Sequence, residues 1–309
     1  MKTIRFIAQE DKVASFFLFA EHDKGLTIPQ HTYYGIPQQN GDIGNLLDHG
    51  AKITANVLTG SPLSPSTKQS SRVLTVQTLL SPLSPEEIGT IRGMGAQFPP
   101  LGKLKAEVAK PKHFNLFYKP LATISGSGSQ VIIPNVADGM DNDYEVELAV
   151  VIGRNVKNVS IEDALDCVAG YTVVNDYTSR GLAGLTGKAT PNNQWGIGKS
   201  FDGWTPLGPV YVTKNEIHDP QNLEITTTVN GIVTQKSNTS QMLLTVAELI
   251  SRLSQGVTLE AGSIILSGSP LALKRSTPWL KHGDEVKVTV EKIGTIVNRI
   301  VEEKMKAKL

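Results

Sequence analysis

Asp143-Tyr144-Glu145-Val146-Glu147-Leu148-Ala149-Val150-Val151-Ile152-Gly153 is the stretch from which the rest of the chain can be read. Its Val, Leu and Ile content predicts a β-strand over residues 144–152. Side chains alternate along a strand, so Glu145, Glu147 and Ala149 share one face while Tyr144, Val146, Leu148 and Val150 share the other. The two carboxylates then point the same way with stems about 6 to 7 Å apart. Two bare charges at that distance repel by roughly 2 to 3 kcal/mol at an effective dielectric near 20, and a cation between them removes the penalty. A second apolar strand, Gly170-Tyr171-Thr172-Val173-Val174-Asn175-Asp176, ends in another acid. Asp176 completes an all-oxygen set suited to Mg²⁺, Mn²⁺ or Ca²⁺. The competing arrangement, a solvated acidic face, fits poorly with the scarcity of Glu in strands and with Val-Val-Ile directly downstream.

A chain of 309 residues holds one large domain with a smaller appendage. Hydrophobic residues at 39% and charged residues at 19% mark it as globular. Thirty basic residues balance 29 acidic ones, which gives no pull toward nucleic acid or an anionic membrane and favours a small neutral or anionic ligand. The single cysteine, Cys167, excludes an internal disulfide, and its apolar setting predicts a buried thiol. Charge interrupts the first ten residues too soon for a signal-peptide core, and no apolar stretch reaches the length of a membrane span. The expected location is cytoplasmic, with a peroxisomal alternative from the C-terminal Ala307-Lys308-Leu309, one small residue away from Ser-Lys-Leu.

Residues 1–84 differ in texture from the remainder, with short strand-like runs at residues 5–8 and 15–20 between turn-rich segments, and predict a small N-terminal domain ahead of a catalytic domain over 85–309. Ser84-Pro85-Glu86-Glu87 carries the signature of a helix start. Beyond it strands dominate, at residues 127–134, 144–152, 223–229, 232–235, 263–267, 285–290 and 295–301. Asn230-Gly231 marks a hairpin turn. Ser160 caps a short helix, and Thr245-Val246-Ala247-Glu248 opens another whose apolar positions are Val246, Leu249, Ile250 and Leu253, ended by Gly256. The expected class is α+β and β-rich, a mixed sheet folded on itself.

Asn115-Leu116-Phe117-Tyr118-Lys119-Pro120, the 143–153 run, Asn175-Asp176-Tyr177-Thr178-Ser179-Arg180, Gln194-Trp195 and Gly198-Lys199-Ser200-Phe201-Asp202-Gly203-Trp204 together resemble the fumarylacetoacetate hydrolase superfamily. The resemblance continues through Pro206-Leu207-Gly208-Pro209, Val229-Asn230-Gly231, Ser267-Gly268-Ser269-Pro270 and His282-Gly283-Asp284, covering roughly residues 90 to 300. It implies a mixed β-roll catalytic domain, a bound Mg²⁺, Mn²⁺ or Ca²⁺, a homodimer, and action on 2-oxo acids or β-dicarbonyl compounds. The family's metal carboxylates fall on Glu145, Glu147 and Asp176. Its lysine falls on Lys199, as an electrostatic or proton-transfer group beside the metal. Its substrate-site positions fall on Arg180 and Gln194, and Ser269 keeps a hydroxyl for a carboxylate or carbonyl oxygen. Without the resemblance, Lys199 reads as a surface ammonium and Arg180 as a structural ion pair.

Two departures matter. Hydrolases and decarboxylases of the superfamily carry a stretch like Gly-x-Asn-Tyr-x-x-His-x-x-Glu, whose His-Glu dyad handles water or a proton. The corresponding stretch here places Leu101 and Leu104 at those positions, and neither moves a proton. The usual Thr-Gly-Thr-Pro-x-Gly reads Ser267-Gly268-Ser269-Pro270-Leu271-Ala272, which removes a glycine's freedom at Ala272. His31, His49 and His113 are the candidate histidines for a replacement base supplied by another loop. Hydrolysis needs an activated water, and absent base help commonly lowers the rate about 10² to 10⁴-fold. The expected activity is therefore enolate chemistry: tautomerisation, decarboxylation or isomerisation. The alternatives are a C–C bond hydrolase of acylpyruvate type and a catalytically silent metal-binding member.

Overall fold

The computed structural model describes residues 1–11, 31–112, 115–188, 194–273 and 279–303. At its centre Val146–Ile152 is buried along its whole length. It pairs antiparallel with Val168–Asn175 on one side and with Ile264–Leu266 on the other. Tyr144 and Glu145, expected inside this strand, precede it. Asn142–Asp143 instead pairs with Thr178–Ser179, and the Asn175 side-chain oxygen accepts the Glu145 N–H at 2.9 Å, so a side chain replaces the ladder bond there.

The large mixed sheet runs outward from this centre. Beyond Val168–Asn175 come Thr205–Thr213 and then Lys2–Ala8. Lys2–Ala8 pairs with both Thr32–Pro37 and Gln69–Leu79, and Thr54–Leu58 joins those two, so four N-terminal strands close on themselves as a small barrel. In the other direction Ile264–Leu266 runs parallel to Ile91–Met94, and Leu116–Lys119 forms the edge. A second, five-stranded sheet has the order Ile232–Asn238, Glu224–Val229, Glu285–Val290, Gly294–Glu302, Gln130–Ile133. The architecture is the β-rich α+β class expected.

Alternation along the central strand sorts two cores. Val146, Leu148, Val150 and Ile152 face Val286, Val288, Val290 and Ile296 of the second sheet. Ala149 and Val151 face Ile91, Phe117, Val174, Leu207 and Ile264 on the opposite side. Glu147 is in phase with this second set, so its side chain starts from an apolar layer.

Most local signals give the expected elements. Asn230 and Gly231 take φ of 51° and 78° between Glu224–Val229 and Ile232–Asn238. Helix Val246–Leu253 opens on the Thr245–Glu248 capping box and buries Val246, Leu249, Ile250 and Leu253. It ends at Leu253 rather than Gly256, which takes its positive φ in the turn beyond. At Ser84 the capping box forms, but the helix stops after the single 3₁₀ turn Pro85–Glu87, because the chain is drawn within a few residues into the Ile91–Met94 pairing. Cys167 is buried. The strand expected at residues 15–20 lies outside the described residues.

One glycine contact is tight enough to test. A Cβ built on Gly93 would lie 1.9 Å from the Phe117 ring, whereas one on Gly196 meets nothing within 4 Å. Gly93→Ala should lower unfolding free energy by about 1 to 3 kcal/mol through overpacking. Gly196→Ala should stay within about 0.5 kcal/mol of wild type. Urea unfolding of both variants checks the contrast, and equal midpoints would contradict the Phe117 packing.

Candidate active site

Register brings the three acids together. Glu147 pairs with Val174, so continuing the ladder by two residues sets Asp176 opposite Glu145, and the Asp176 N–H donates to the Glu145 carbonyl at 2.9 Å. Glu145, Glu147 and Asp176 offer carboxylate oxygens within 4.8 Å of one another. This is no solvated face: Glu147 is 2% exposed and Asp176 is buried. The Gly268 N–H donates to Glu147 Oε2 at 2.5 Å. Gly268 has φ of 88°, and a Cβ there would lie 2.5 Å from Gln97, so a residue without a side chain makes this close approach possible.

Three cations surround the acids. Lys199 Nζ donates to Glu145 Oε2 at 2.7 Å, to Asp176 Oδ2 at 2.5 Å and to Thr178 Oγ1 at 2.7 Å. It is buried, 4.5 Å from the centroid of the Phe117 ring, and is not a surface ammonium. Lys119 Nζ donates to Asp176 Oδ1 at 2.5 Å and to the Tyr177 and Trp204 carbonyls. Arg180 donates through Nε to Asp143 Oδ2 at 2.6 Å and through Nη2 to Glu145 Oε1 at 2.8 Å.

The electrostatic balance is unequal. Burial alone would raise Asp176, but the ammonium groups of Lys119 and Lys199 outweigh it and hold its carboxyl below the ordinary value. Lys199 is opposed by burial, yet Asp176 and Glu145 raise its pKa and keep it charged. Glu147 is pushed well above the usual carboxylate range by burial and then by the charges of Asp176 and Glu145. Four carboxylates, with Asp143 included, stand against three cations, and Glu147, without a cation partner among the described residues, is the acid driven to hold a proton when no metal is bound. An all-carboxylate donor set with surplus negative charge fits a hard divalent ion.

A cavity of about 240 Å³ adjoins the cluster. Glu145, Glu147 and Asp176 do not line it, but Arg180 touches both, and so does the segment running from Gly268 to Ala272. Asp143, Tyr144, Arg180 and Gln235 form its polar end. Pro100, Leu101, Pro270, Leu271, Ala272 and Trp279 form the rest. Ser269 sits beside it, its Oγ accepting from Gln235 Nε2 at 3.1 Å. Gln194 is exposed at the start of the short helix Trp195–Gly198 and is not among the lining residues. Leu101 lines the wall, whereas Leu104 is 69% exposed and points away from the dyad role. No histidine is among the described lining residues. His31 is exposed, His49 Nδ1 lies 2.8 Å from the Asn45 carbonyl oxygen at the surface, and His113 lies outside the described residues.

Three residues of the site escaped the sequence reading. Lys119 had one usable signal, its period-2 phase with Phe117, since the exposed positions of Leu116–Lys119 are Leu116 and Tyr118. Asp143 stood beside the glutamates without an assigned partner. Gln235 left no sequence signal, because its neighbours Ser269 and Pro270 come from far along the chain.

Residues 91–301 match the family described as Fumarylacetoacetate (FAA) hydrolase C-terminal. The Bos taurus protein "Oxaloacetate tautomerase FAHD2A, mitochondrial" is 44% identical over 198 residues, 63% of this chain and 61% of its own length. The chain thus spans about three fifths of the length of such curated relatives. The "Caffeoylpyruvate hydrolase" of Neonothopanus nambi is 38% identical over 272 residues, 85% of this chain and 86% of that protein. A 5-carboxymethyl-2-hydroxymuconate delta-isomerase from Mycobacterium smegmatis superposes with a TM-score of 0.74 at 27% identity, covering 98% of this chain and 100% of that one. The cytoplasmic expectation and its peroxisomal alternative are overturned by the relatives from cattle, rat and human, whose names are mitochondrial. Ala307-Lys308-Leu309 lies outside the described residues. No helix among the described residues is long and apolar enough to cross a membrane.

The raised Glu147 pKa has a pH signature. Between the ordinary Glu pKa and the raised one, the native state binds more protons than the unfolded chain, so metal-free stability falls as pH rises through that window. Asp176, held low, loses its contribution only on further acidification below the ordinary Asp range. In EDTA, the urea midpoint should fall as pH rises above the ordinary Glu range, and Glu147→Gln should flatten the fall. Mg²⁺ should raise Tm more at pH 8 than at pH 6. An unchanged slope in the Gln variant would contradict the assignment.

Proposed function

The chain belongs to the fumarylacetoacetate hydrolase family, and on that premise we propose that it is a divalent-metal-dependent enzyme that interconverts the keto and enol forms of a 2-oxo acid or β-dicarbonyl compound. Decarboxylation and isomerisation are neighbouring outcomes of the same enolate. The observation that carries this reading is that Lys199 commits three N–H donors, to Glu145, Asp176 and Thr178. It holds a fixed positive charge beside the acids that would stabilise the negative charge of the enolate, and the C3 proton would be exchanged with solvent water through the adjoining cavity.

Mg²⁺ is the proposed ion, with Mn²⁺ or Ca²⁺ as alternatives, held by Glu145, Glu147 and Asp176. When bound, it supplies the Lewis acidity that stabilises an enolate. The protein's own groups add preorganised charge: the Lys199 ammonium lies where negative charge develops, and Lys119 fixes Asp176 from behind. Arg180, Ser269 and Gln194 are the proposed substrate contacts, with Arg180 joining the acids to the cavity. Leu101 places no general base on the cavity wall, which withholds help from a water attacking in hydrolysis. The proposed division leaves the four-strand barrel in residues 1–84 and the chemistry in 85–309.

C–C bond hydrolysis is the second reading. It is favoured by the match to the Neonothopanus protein, which covers most of both chains. Under it, a base from outside the described cavity lining activates water.

Two experiments test these proposals. With Mg²⁺, the protein should accelerate deuterium exchange at C3 of a 2-oxo acid and decay of its enol absorbance, faster than it cleaves an acylpyruvate. Lys199→Ala should lower the exchange rate about 10² to 10³-fold. Cleavage outpacing exchange would establish the hydrolase reading, and a metal-binding protein with neither activity on a broad panel would be a silent member. We also propose a homodimer, because the edge strand Leu116–Lys119 exposes Leu116 and Tyr118. Light scattering should return twice the chain mass of 33.3 kDa, and a constant monomer mass at micromolar concentrations would exclude it.

A further inference from the structure

We infer that the cavity beside the acids is a subsite for a bulky apolar group, so that the substrate is a 2-oxo acid with an aryl or branched alkyl tail. The inference rests on the 2-oxo acid reading above and specifies which member of that class the site takes.

Leu101, Leu271 and Trp279 are 42%, 52% and 43% exposed, three large apolar side chains gathered at one cavity rather than scattered over the surface. Scattered apolar side chains need no explanation, but a cluster rimming a concave site marks a surface that a ligand covers. Both departures from the family pattern fall on this wall, with Leu101 at the histidine position and Ala272 at the glycine position. Leu101, in the place of a proton carrier, adds to the apolar wall, while Leu104 lies outside it.

Few polar atoms of the described lining are left for a ligand. Gln235 donates through Nε2 to Ser269 Oγ and the Pro270 carbonyl, and its Oε1 accepts from Thr227. Asp143 accepts from Arg180, and Arg180 is shared with Glu145, so its guanidinium already faces two carboxylates. The Tyr144 hydroxyl, buried and without a hydrogen bond among the described residues, remains as a neutral handle. Among the described lining residues the one cation, Arg180, is already shared by two carboxylates, so the lining offers no free positive charge to a second carboxylate on the ligand. An aryl group needs no such partner and covers Leu101, Leu271 and Trp279.

Discrimination of this kind typically reaches about 10 to 200-fold for even one methylene in an apolar pocket. The test is calorimetry on the Mg²⁺-loaded full chain with oxalate, oxaloacetate and 4-phenyl-2,4-dioxobutanoate. The phenyl compound should bind at least about tenfold more tightly than oxaloacetate, and Leu271→Asp should cut that ratio below about threefold. Trp279→Ala, a milder change, should also reduce it, with melting temperatures confirming that both variants fold. Oxaloacetate binding as tightly as the phenyl compound, with oxalate also bound, would overturn the subsite while leaving the metal-centred 2-oxo acid reading intact. Failure of the wild-type protein to bind oxalate at all would overturn that reading and the subsite with it.

Discussion

A surplus of buried negative charge organises this protein. Glu145, Glu147 and Asp176 meet where two strands of an apolar layer run out, and bringing their charges together away from water is unfavourable unless each finds a partner. Asp176 is answered by Lys119 and Lys199, and Glu145 by Lys199 and Arg180. Glu147 has one backbone N–H on Oε2 and the charges of its two neighbours to contend with. The imbalance makes the cluster a receptor for a divalent ion rather than a set of structural ion pairs. A structural network would have matched its charges.

The surrounding fold keeps that imbalance in place. Lys119 comes from the sheet edge, Lys199 from the end of a one-turn helix, Arg180 from beyond the second strand, and Gly268 from the loop after Ile264–Leu266. Leu116–Lys119 stands four strands from Val168–Asn175 in the order of the large sheet, so Lys119 reaches Asp176 across the face of a sheet that curls back on itself. Phe117 and Trp195, with ring centroids 5.7 Å apart, close the apolar side and shield Lys199. Removing water there strengthens every charge interaction in the cluster, whether attractive or repulsive.

What was legible in the sequence depended on range. Period-2 alternation set Glu147 beside Ala149 and Val151, and Asn230-Gly231 and the Thr245 capping box specified their turn and helix, because each signal acts over a few residues. Ser84 carried an equally good local signal, yet tertiary pairing of Ile91–Met94 overrode it after one turn. The carboxylate trio was legible because a strand pattern supplies both face and phase. Lys119 was missed because a lysine is presumed to be solvated, although here its apolar neighbours Leu116 and Tyr118 are the exposed ones. Glu145 was set inside the strand because no sequence rule foretells that the Asn175 side chain will take its N–H. Leu101 was legible as a lost acid-base group, but that it shares a wall with Leu271 and Trp279 is a fact of tertiary structure.

This division of labour explains how one scaffold serves tautomerases, isomerases and hydrolases among its relatives. Glu147, at the start of Val146–Ile152, and Asp176, one residue past Val168–Asn175, are tied to central strands, so changing their positions would disturb both cores at once. The cavity wall comes from loops, Pro100 and Leu101 on one side and Pro270 to Ala272 on the other, where substitution leaves the sheet untouched. Replacing a histidine position by Leu101 therefore alters two properties together: it removes a proton carrier and adds apolar surface. Loss of hydrolytic help and gain of an apolar subsite are one event at the level of the side chain, and a substrate with an apolar tail is the one for which that exchange is favourable.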